Sequence, residues 1–282
     1  MEREGRWLGA PERLDRAVVA LGLVRSRSRA AELVGAGGIA VDGAVAGKPG
    51  LKVREGSLLT VRGDDHYVSR GAHKLLAALD AFSVDPAGRV ALDLGASTGG
   101  FTQVLLERGA ATVLAVDVGH DQLAAEIRSD QRVRVVEGCN ARELDAAALA
   151  SLTGVAELPS LVVADLSFIS LTLILPAIAR CTGPGAELAL LIKPQFEVGR
   201  VRDGIVTDPG LWRDAIRTVL RSATESGFAV RGLAPSPIAG GEGNREFLVH
   251  LVCAEPGDPR EWEGRIVEVS APARTHDEGN HG

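Results

Sequence analysis

Apolar residues recur along the chain at two periods, and the period changes more than once. Leu14, Ala17, Val18 and Leu21 stand at the spacing of one helical face, and Gly22 closes the run. Ala30, Leu33 and Val34 repeat the pattern ahead of Gly35. Beyond it Ile39 and Val41 alternate before Asp42-Gly43, a hairpin-turn dipeptide, and Leu58 to Val61 form another short apolar run. Two helices and a small antiparallel sheet are predicted for residues 1–61. Arg62 to His66 contains no large apolar residue, so a linker over 62–68 is expected there.

From Ser69 the chain alternates between strand and helix patterns. Val90–Leu94, Val113–Val116, Val133–Val136, Leu161–Ala164 and Leu188–Ile192 are short runs rich in β-branched residues, most of them separated by helical stretches. Asp208-Pro209 pairs a cap with proline at a first helical position and opens a helix toward Gly227. Phe247 to Val252 supplies a last strand. The order predicts an α/β domain with a doubly wound sheet over 69–254. From Glu255 onward proline, glycine and charge dominate, with 7 acidic residues against 3 arginines, and residues 255–282 are expected to be loosely ordered.

Composition narrows the class. Of 282 residues, 45% are hydrophobic and 24% charged, which excludes a disordered or collagen-like chain. The formal charge is −6, but residues 1–60 hold 10 Lys+Arg against 7 Asp+Glu, net +3, which leaves the remainder at net −9. The two parts are therefore expected to do different work, the first facing a polyanion. Cys139, Cys181 and Cys253 are odd in number and widely spaced, so neither a disulfide framework nor a zinc ribbon is suggested. The six histidines show no ligand spacing, and no metal is expected. Glu2, Arg3, Glu4 and Arg6 stand at the start in place of a basic then apolar signal sequence, and the longest apolar stretch, Leu166 to Ala179, is too short for a membrane helix. A cytoplasmic protein is expected.

The most informative segment is Ala91 to Phe101, a strand that runs into small residues and then a helix. A phosphate-binding loop needs lysine where Phe101 stands, and a dinucleotide fingerprint from Gly95 needs glycine where Ser97 stands. A cofactor without phosphates suits the segment better, and S-adenosylmethionine is the candidate. Asp93, Gly95, Ala96, Ser97, Thr98 and Gly99 would approach or hydrogen-bond it. Asp117, 18 residues past Gly99, ends the next strand, where an acid can take both hydroxyls of an adenosine ribose. Asn140, past the third strand, suits an adenine edge or a helix cap equally.

Four ionisable residues fall where such a sheet has its active edge. Asp165 follows the fourth strand, Lys193 follows the fifth, Lys74 lies in the helix that enters the domain, and Glu246 begins the last strand. Taken one at a time, each also fits a solvated surface charge.

The segments Ser69-Arg70-Gly71-Ala72-His73-Lys74, Leu92 to Phe101, Ala164 to Ser170, Lys193 to Gly199 and Asn244-Arg245-Glu246-Phe247 resemble the TlyA (haemolysin A) family of rRNA cytidine 2′-O-methyltransferases. The resemblance runs from about residue 11 to 253. It implies an FtsJ-like catalytic domain with a Rossmann-like class I methyltransferase sheet, S-adenosylmethionine as cofactor, and a Lys-Asp-Lys-Glu tetrad at Lys74, Asp165, Lys193 and Glu246. Chemistry is consistent with that set. A ribose 2′-hydroxyl is a poor nucleophile until its proton leaves, so a lysine held neutral by a nearby ammonium and by burial would serve as base, and Lys193 is assigned that role.

Residues 11–43 resemble the small RNA-binding domain of a ribosomal protein. Arg13, Arg16, Arg25, Arg27 and Arg29 would face phosphates and give salt-dependent affinity. The connector departs from the family pattern, with Asp65 and Tyr67 where members often carry arginine and tryptophan. The implied substrate is ribosomal RNA, 23S with 16S also allowed, as naked RNA, within a subunit or within the assembled ribosome. Two readings from other classes compete. A membrane-lytic protein would need an amphipathic or membrane-length helix, which is not visible. A non-catalytic RNA-binding protein would not need Lys193.

Overall fold

The computed structural model describes residues 2–24, 26–62, 66–199, 204–240 and 243–271. The chain divides between His66 and Tyr67 into two compact units, and among the described residues each has buried apolar clusters of its own.

The smaller unit contains β1 (Glu2–Arg6), β2 (Glu12–Arg13), α1 (Leu14–Ala20), α2 (Arg27–Gly35), β3 (Ile39–Val41), β4 (Ala44–Val45), β5 (Lys52–Val53) and β6 (Leu58–Arg62). One antiparallel sheet has the order β1-β6-β3-β4, and β2 pairs with β5. The periodic residues Leu14, Ala17, Val18, Ala30, Leu33 and Val34 are buried against Ile39, Leu59 and Val61. Ser26 caps α2 by accepting from Arg29 N. Asp42 and Gly43 both have positive φ, as a two-residue hairpin turn requires, and the Asp42 side chain accepts from Leu58 N at 2.8 Å. β1 was not expected, because its residues alternate charge with charge. It is held by pairing with β6, by a Glu2–Arg62 ion pair at 3.1 Å and by a Thr60 hydroxyl that donates to Glu4 at 3.0 Å.

The larger unit contains α3 (Ala72–Phe82), β7 (Val90–Leu94), α4 (Gly100–Glu107), β8 (Thr112–Val116), α5 (Ala125–Arg128), β9 (Val133–Val136), α6 (Ala146–Thr153), β10 (Leu161–Ala164), α7 (Leu175–Cys181), β11 (Glu187–Ile192), α8 (Pro194–Glu197), α9 (Pro209–Glu225), β12 (Phe228–Pro235), β13 (Phe247–Cys253) and α10 (Glu263–Val269). Its sheet has the order β12-β13-β11-β10-β7-β8-β9. The strands from β7 to β11 pair in parallel, while β13 is antiparallel to both β11 and β12. Alternate residues of each central strand enter cores on opposite faces. Leu92 and Leu94 meet Leu175, Ile178, Ile216 and Val219, and Ala91 faces the side of Leu75, Leu79, Val104 and Leu105. Burial on both faces is why these strands read as continuous apolar runs.

Three features differ from expectation. β12 is an edge strand whose pattern is broken by Arg231 and a bulge at Gly232, where a Cβ would lie 2.6 Å from the Phe82 ring. Residues 255–271 are not loosely ordered: a 3-10 turn at Pro259–Trp262 leads into α10, and Ile266 and Val269 join the core of Ile216 and Leu220. Residues 272–282 lie outside the described residues. At the expected linker, β6 runs to Arg62, and Val68 is buried in the larger unit with its N–H donated to Gln103. Residues 63–65 lie outside the described residues.

Candidate active site

Between β8 and β10 the strand that starts the winding, β7, has neighbours reached in opposite directions along the chain, and this switch opens a crevice beyond the strand ends. The loop leaving β7 uses left-handed backbone at Gly95 (φ +80), Ser97 (φ +47) and Gly99 (φ +98). Gly95 lies against the β10 loop, where a Cβ would sit 3.2 Å from the Asp165 carbonyl oxygen. Gly99 is the N-cap of α4, and a Cβ there would reach within 2.8 Å of Leu123.

Two cavities flank this loop and share Gly95, Ser97, Asp165 and Ser167. One, of about 310 Å³, is walled by Ser69, Gly71, Lys74, Ala96, Thr98 and Lys193. The other, of about 540 Å³, is walled by Asp117, Val118, Asn140, Phe168, Ile169 and Ile174. Asp117 is half-buried and accepts from Ser97 N at 2.8 Å and from Gly119 N at 2.7 Å, one bond on each oxygen. Asn140 caps a 3-10 turn through Arg142 N while remaining on the cavity wall. Asp93 and Gly99 reach neither wall. Asp93 is fully buried beneath the loop, with Oδ2 accepting from Thr102 Oγ1 at 2.6 Å and Oδ1 without a partner. Burial, with the charges of Asp165 and Asp117 adding to it, pushes its carboxyl up to about 7 against the opposing Thr102 bond.

Lys74, Asp165, Lys193 and Glu246 converge. Lys74 Nζ lies 2.6 Å from Glu246 Oε2 and 3.5 Å from Asp165 Oδ2, and Lys193 Nζ lies 2.6 Å from Asp165 Oδ1. They form an alternating row, Glu246–Lys74–Asp165–Lys193, of balanced charge. With 7%, 8% and 1% of their surface exposed, Lys74, Lys193 and Glu246 are not solvated surface charges. Desolvation of this kind is tolerated because each ion faces an opposite one. Lys193 also donates to Ser167 Oγ at 2.9 Å. Ser167 was not singled out, although its place two residues after Asp165 was the available signal. Glu246 arrives from the start of β13, because an antiparallel strand brings its beginning to the edge where its neighbours end. Buried Asn244 holds the turn before it, accepting from Val206 N and donating to Gly204 O at 2.9 Å each, and Gly240 leaves room for the carboxylate.

In the smaller unit, nearly covered Asp15 accepts from Arg13 at 3.0 and 3.1 Å and from Arg27 at 3.1 and 3.2 Å. Arg13's hydrogen bonds, ahead of Arg27's, hold the Asp15 carboxyl below the usual range. Arg16 pairs with Glu12 at 3.7 Å. Arg13, Arg16 and Arg27 keep 46%, 54% and 55% of their side chains exposed, whereas Arg29 keeps 14% and pairs with Glu32. Arg25 lies outside the described residues. Among the described residues, no group of His, Cys, Asp and Glu has the arrangement of a metal site, and no helix is long and apolar enough to cross a membrane.

The model of the FtsJ-like methyltransferase family matches residues 67–253, the span that supplies all four converging side chains. The chain belongs to the FtsJ-like methyltransferase family. An S4 domain matches residues 12–59 of this FtsJ-like methyltransferase. The enzyme is 48% identical over 244 residues to the 16S/23S rRNA (cytidine-2′-O)-methyltransferase TlyA of Mycobacterium tuberculosis, which covers 85% of this chain and 89% of that protein. It is 36% identical to Hemolysin A of Brachyspira hyodysenteriae, over 85% and 99% of the two chains. A solved structure described provisionally as a hemolysin from Streptococcus thermophilus has a TM-score of 0.72 at 40% identity, over 93% of this chain and 96% of that one. The TlyA resemblance carried by the motifs is thus borne out.

Proposed function

We propose that this methyltransferase transfers a methyl group from S-adenosylmethionine to the ribose 2′-hydroxyl of cytidine in ribosomal RNA, with Lys193 as general base. The reading is carried by the buried ion row Glu246–Lys74–Asp165–Lys193 beside a loop built for close approach to its backbone.

The residues present fit the cofactor. Gly95, Ala96, Ser97 and Thr98 line the crevice with small residues, which leaves room for a ligand to approach the loop. Each Asp117 oxygen has one lone pair committed to a backbone N–H and keeps another for a ribose hydroxyl. Val118 and Asn140 line the same cavity as Asp117 and would border an adenine ring. Asp93 acts from beneath, through Thr102 and the loop, instead of as a direct ligand. When bound, the cofactor supplies an electrophilic methyl group on a sulfonium.

On this reading the Lys193 amine, once its ammonium has released a proton, takes the 2′-hydroxyl proton as the oxygen attacks. The ammonium so formed lies against Asp165 and Ser167, which stabilise it and keep it aimed. Lys74 holds Asp165 from its far side and is itself held by Glu246, so the carboxylate cannot swing away from Lys193. Alignment of the oxygen with the methyl group supplies much of the rate. On the same reading the S4 unit would bind RNA phosphates through Arg13, Arg16 and Arg27, and the enzyme would act on ribosomes in the cytoplasm.

Transfer of labelled methyl to separately purified large and small ribosomal subunits tests the proposal. Label recovered as 2′-O-methylcytidine, with kcat lowered on the order of a hundredfold or more in Lys193→Ala, is the expected result. Full activity in Lys193→Ala, or label on a base, overturns it. The subunit that takes the label identifies the target.

A further inference from the structure

The β10 loop carries Asp165, Ser167 and Phe168, and the β11 loop carries Lys193, so the ion row depends on the register of two separate loops. Contacts outside the row join them. α8 starts directly after Lys193 and is one turn long. At its end Glu197 Oε1 accepts from Leu171 N at 2.8 Å and Oε2 accepts from the Ser170 hydroxyl at 2.5 Å. The adjacent Phe196 ring meets Phe168 at 5.5 Å between centroids. Leu171 is itself buried in the core, so Glu197 is fastened to a fixed point. Phe168 has φ +65, a strained backbone for a phenylalanine, although the residue is 92% exposed. Burial pushes the Glu197 carboxyl up, so placing a charge there costs stability and needs a compensating role. Glu197 lines neither cavity, and both of its oxygens are engaged.

We propose that Glu197 is a positioning residue for methyl transfer: through Ser170 and Leu171 it staples the β10 loop to α8, which keeps the Asp165 and Ser167 oxygens on the Lys193 amine. The inference rests on the tetrad reading above. It concerns a residue that does not touch the reacting atoms.

Glu197→Ala, Glu197→Gln and Ser170→Ala in the full chain test it, with kcat and KM measured on the subunit that the wild type methylates. Glu197→Ala is expected to lower kcat by about tenfold or more at nearly unchanged KM and cofactor affinity, since the loss is of alignment. Glu197→Gln keeps an acceptor for Leu171 N and an amide donor for the Ser170 oxygen, and is expected to restore most of kcat. A wild-type kcat in Glu197→Ala, or a Glu197→Gln as slow as Glu197→Ala, overturns the proposal. If Glu197→Ala does not fold, Ser170→Ala decides: a loss of about threefold in kcat supports the staple and none overturns it. Amide hydrogen exchange over residues 165–173 reads the staple without reference to turnover. Faster exchange in Glu197→Ala than in Glu197→Gln is expected, and equal exchange overturns the proposal. A wild type that methylates neither subunit defeats the function proposed above and leaves the exchange result to judge the staple.

Discussion

Asp93 shows how a buried acid can stabilise a site and leave a mark on stability. Its carboxyl titrates near 7 in the folded chain because burial disfavours the anion, whereas an unfolded aspartate titrates near about 4. Between those values the folded state keeps a proton that the unfolded state has released, so this residue's contribution is fully present at low pH and is lost as pH rises through about 7. The slope approaches about 1.4 kcal/mol per pH unit where the two states differ by a whole proton. Melting of the cofactor-free protein at pH 5 and pH 8 is expected to show a smaller difference in Asp93→Asn than in wild type. Asp15 has the opposite sign. Its carboxyl is held low by Arg13 and Arg27, so its contribution is present above the unfolded value and lost as acid protonates it.

The C-terminal helix α10 carries more than its short sequence suggests. Ile266 and Val269 are buried, and Arg245, stacked over Trp212 at 5.0 Å, donates to the carbonyls of Val269 and Ala271. Ending the chain at Glu255 is expected to cost about 3 kcal/mol or more from the two apolar side chains, seen as a lower urea midpoint. This element was hard to read because only two buried positions, three residues apart, report it amid charge. β1 and β12 were missed for a related reason: an edge strand takes its order from a partner's backbone and needs little hydrophobic alternation of its own. The central strands were legible because both faces are covered, and α9 because Asp208 and Pro209 mark its start. For the site, motifs located Lys74, Asp165, Lys193 and Glu246, but their mutual distances come from the sheet order. Nothing local could show that Asp93 sits beneath the loop, that Gly99 serves as a cap, or that Glu197 reaches across to Ser170.

The two units have separate cores and opposite charge, net +2 over residues 1–66 and net −8 over residues 67–282. Each is therefore expected to fold alone. A chain limited to residues 67–282 should bind S-adenosylmethionine as the full chain does, while its affinity for ribosomal subunits drops and the slope of log K against log salt flattens by about three, for Arg13, Arg16 and Arg27. Titration calorimetry and filter binding between 50 and 200 mM salt are the checks. The position of β13 adds a consequence in time. Among the described residues it is the last strand in chain order, yet it lies between β11 and β12 and delivers Glu246. As the chain leaves the ribosome, β12 has no neighbour to join until residues 247–253 emerge, and Lys74 waits for the nearer of its two carboxylates, Glu246, from 172 positions downstream. Contacts of such long sequence separation form late. On the proposed reading, the ion row is complete only once Glu246 and β13 have emerged and paired, so shorter lengths of the chain lack one member of the site.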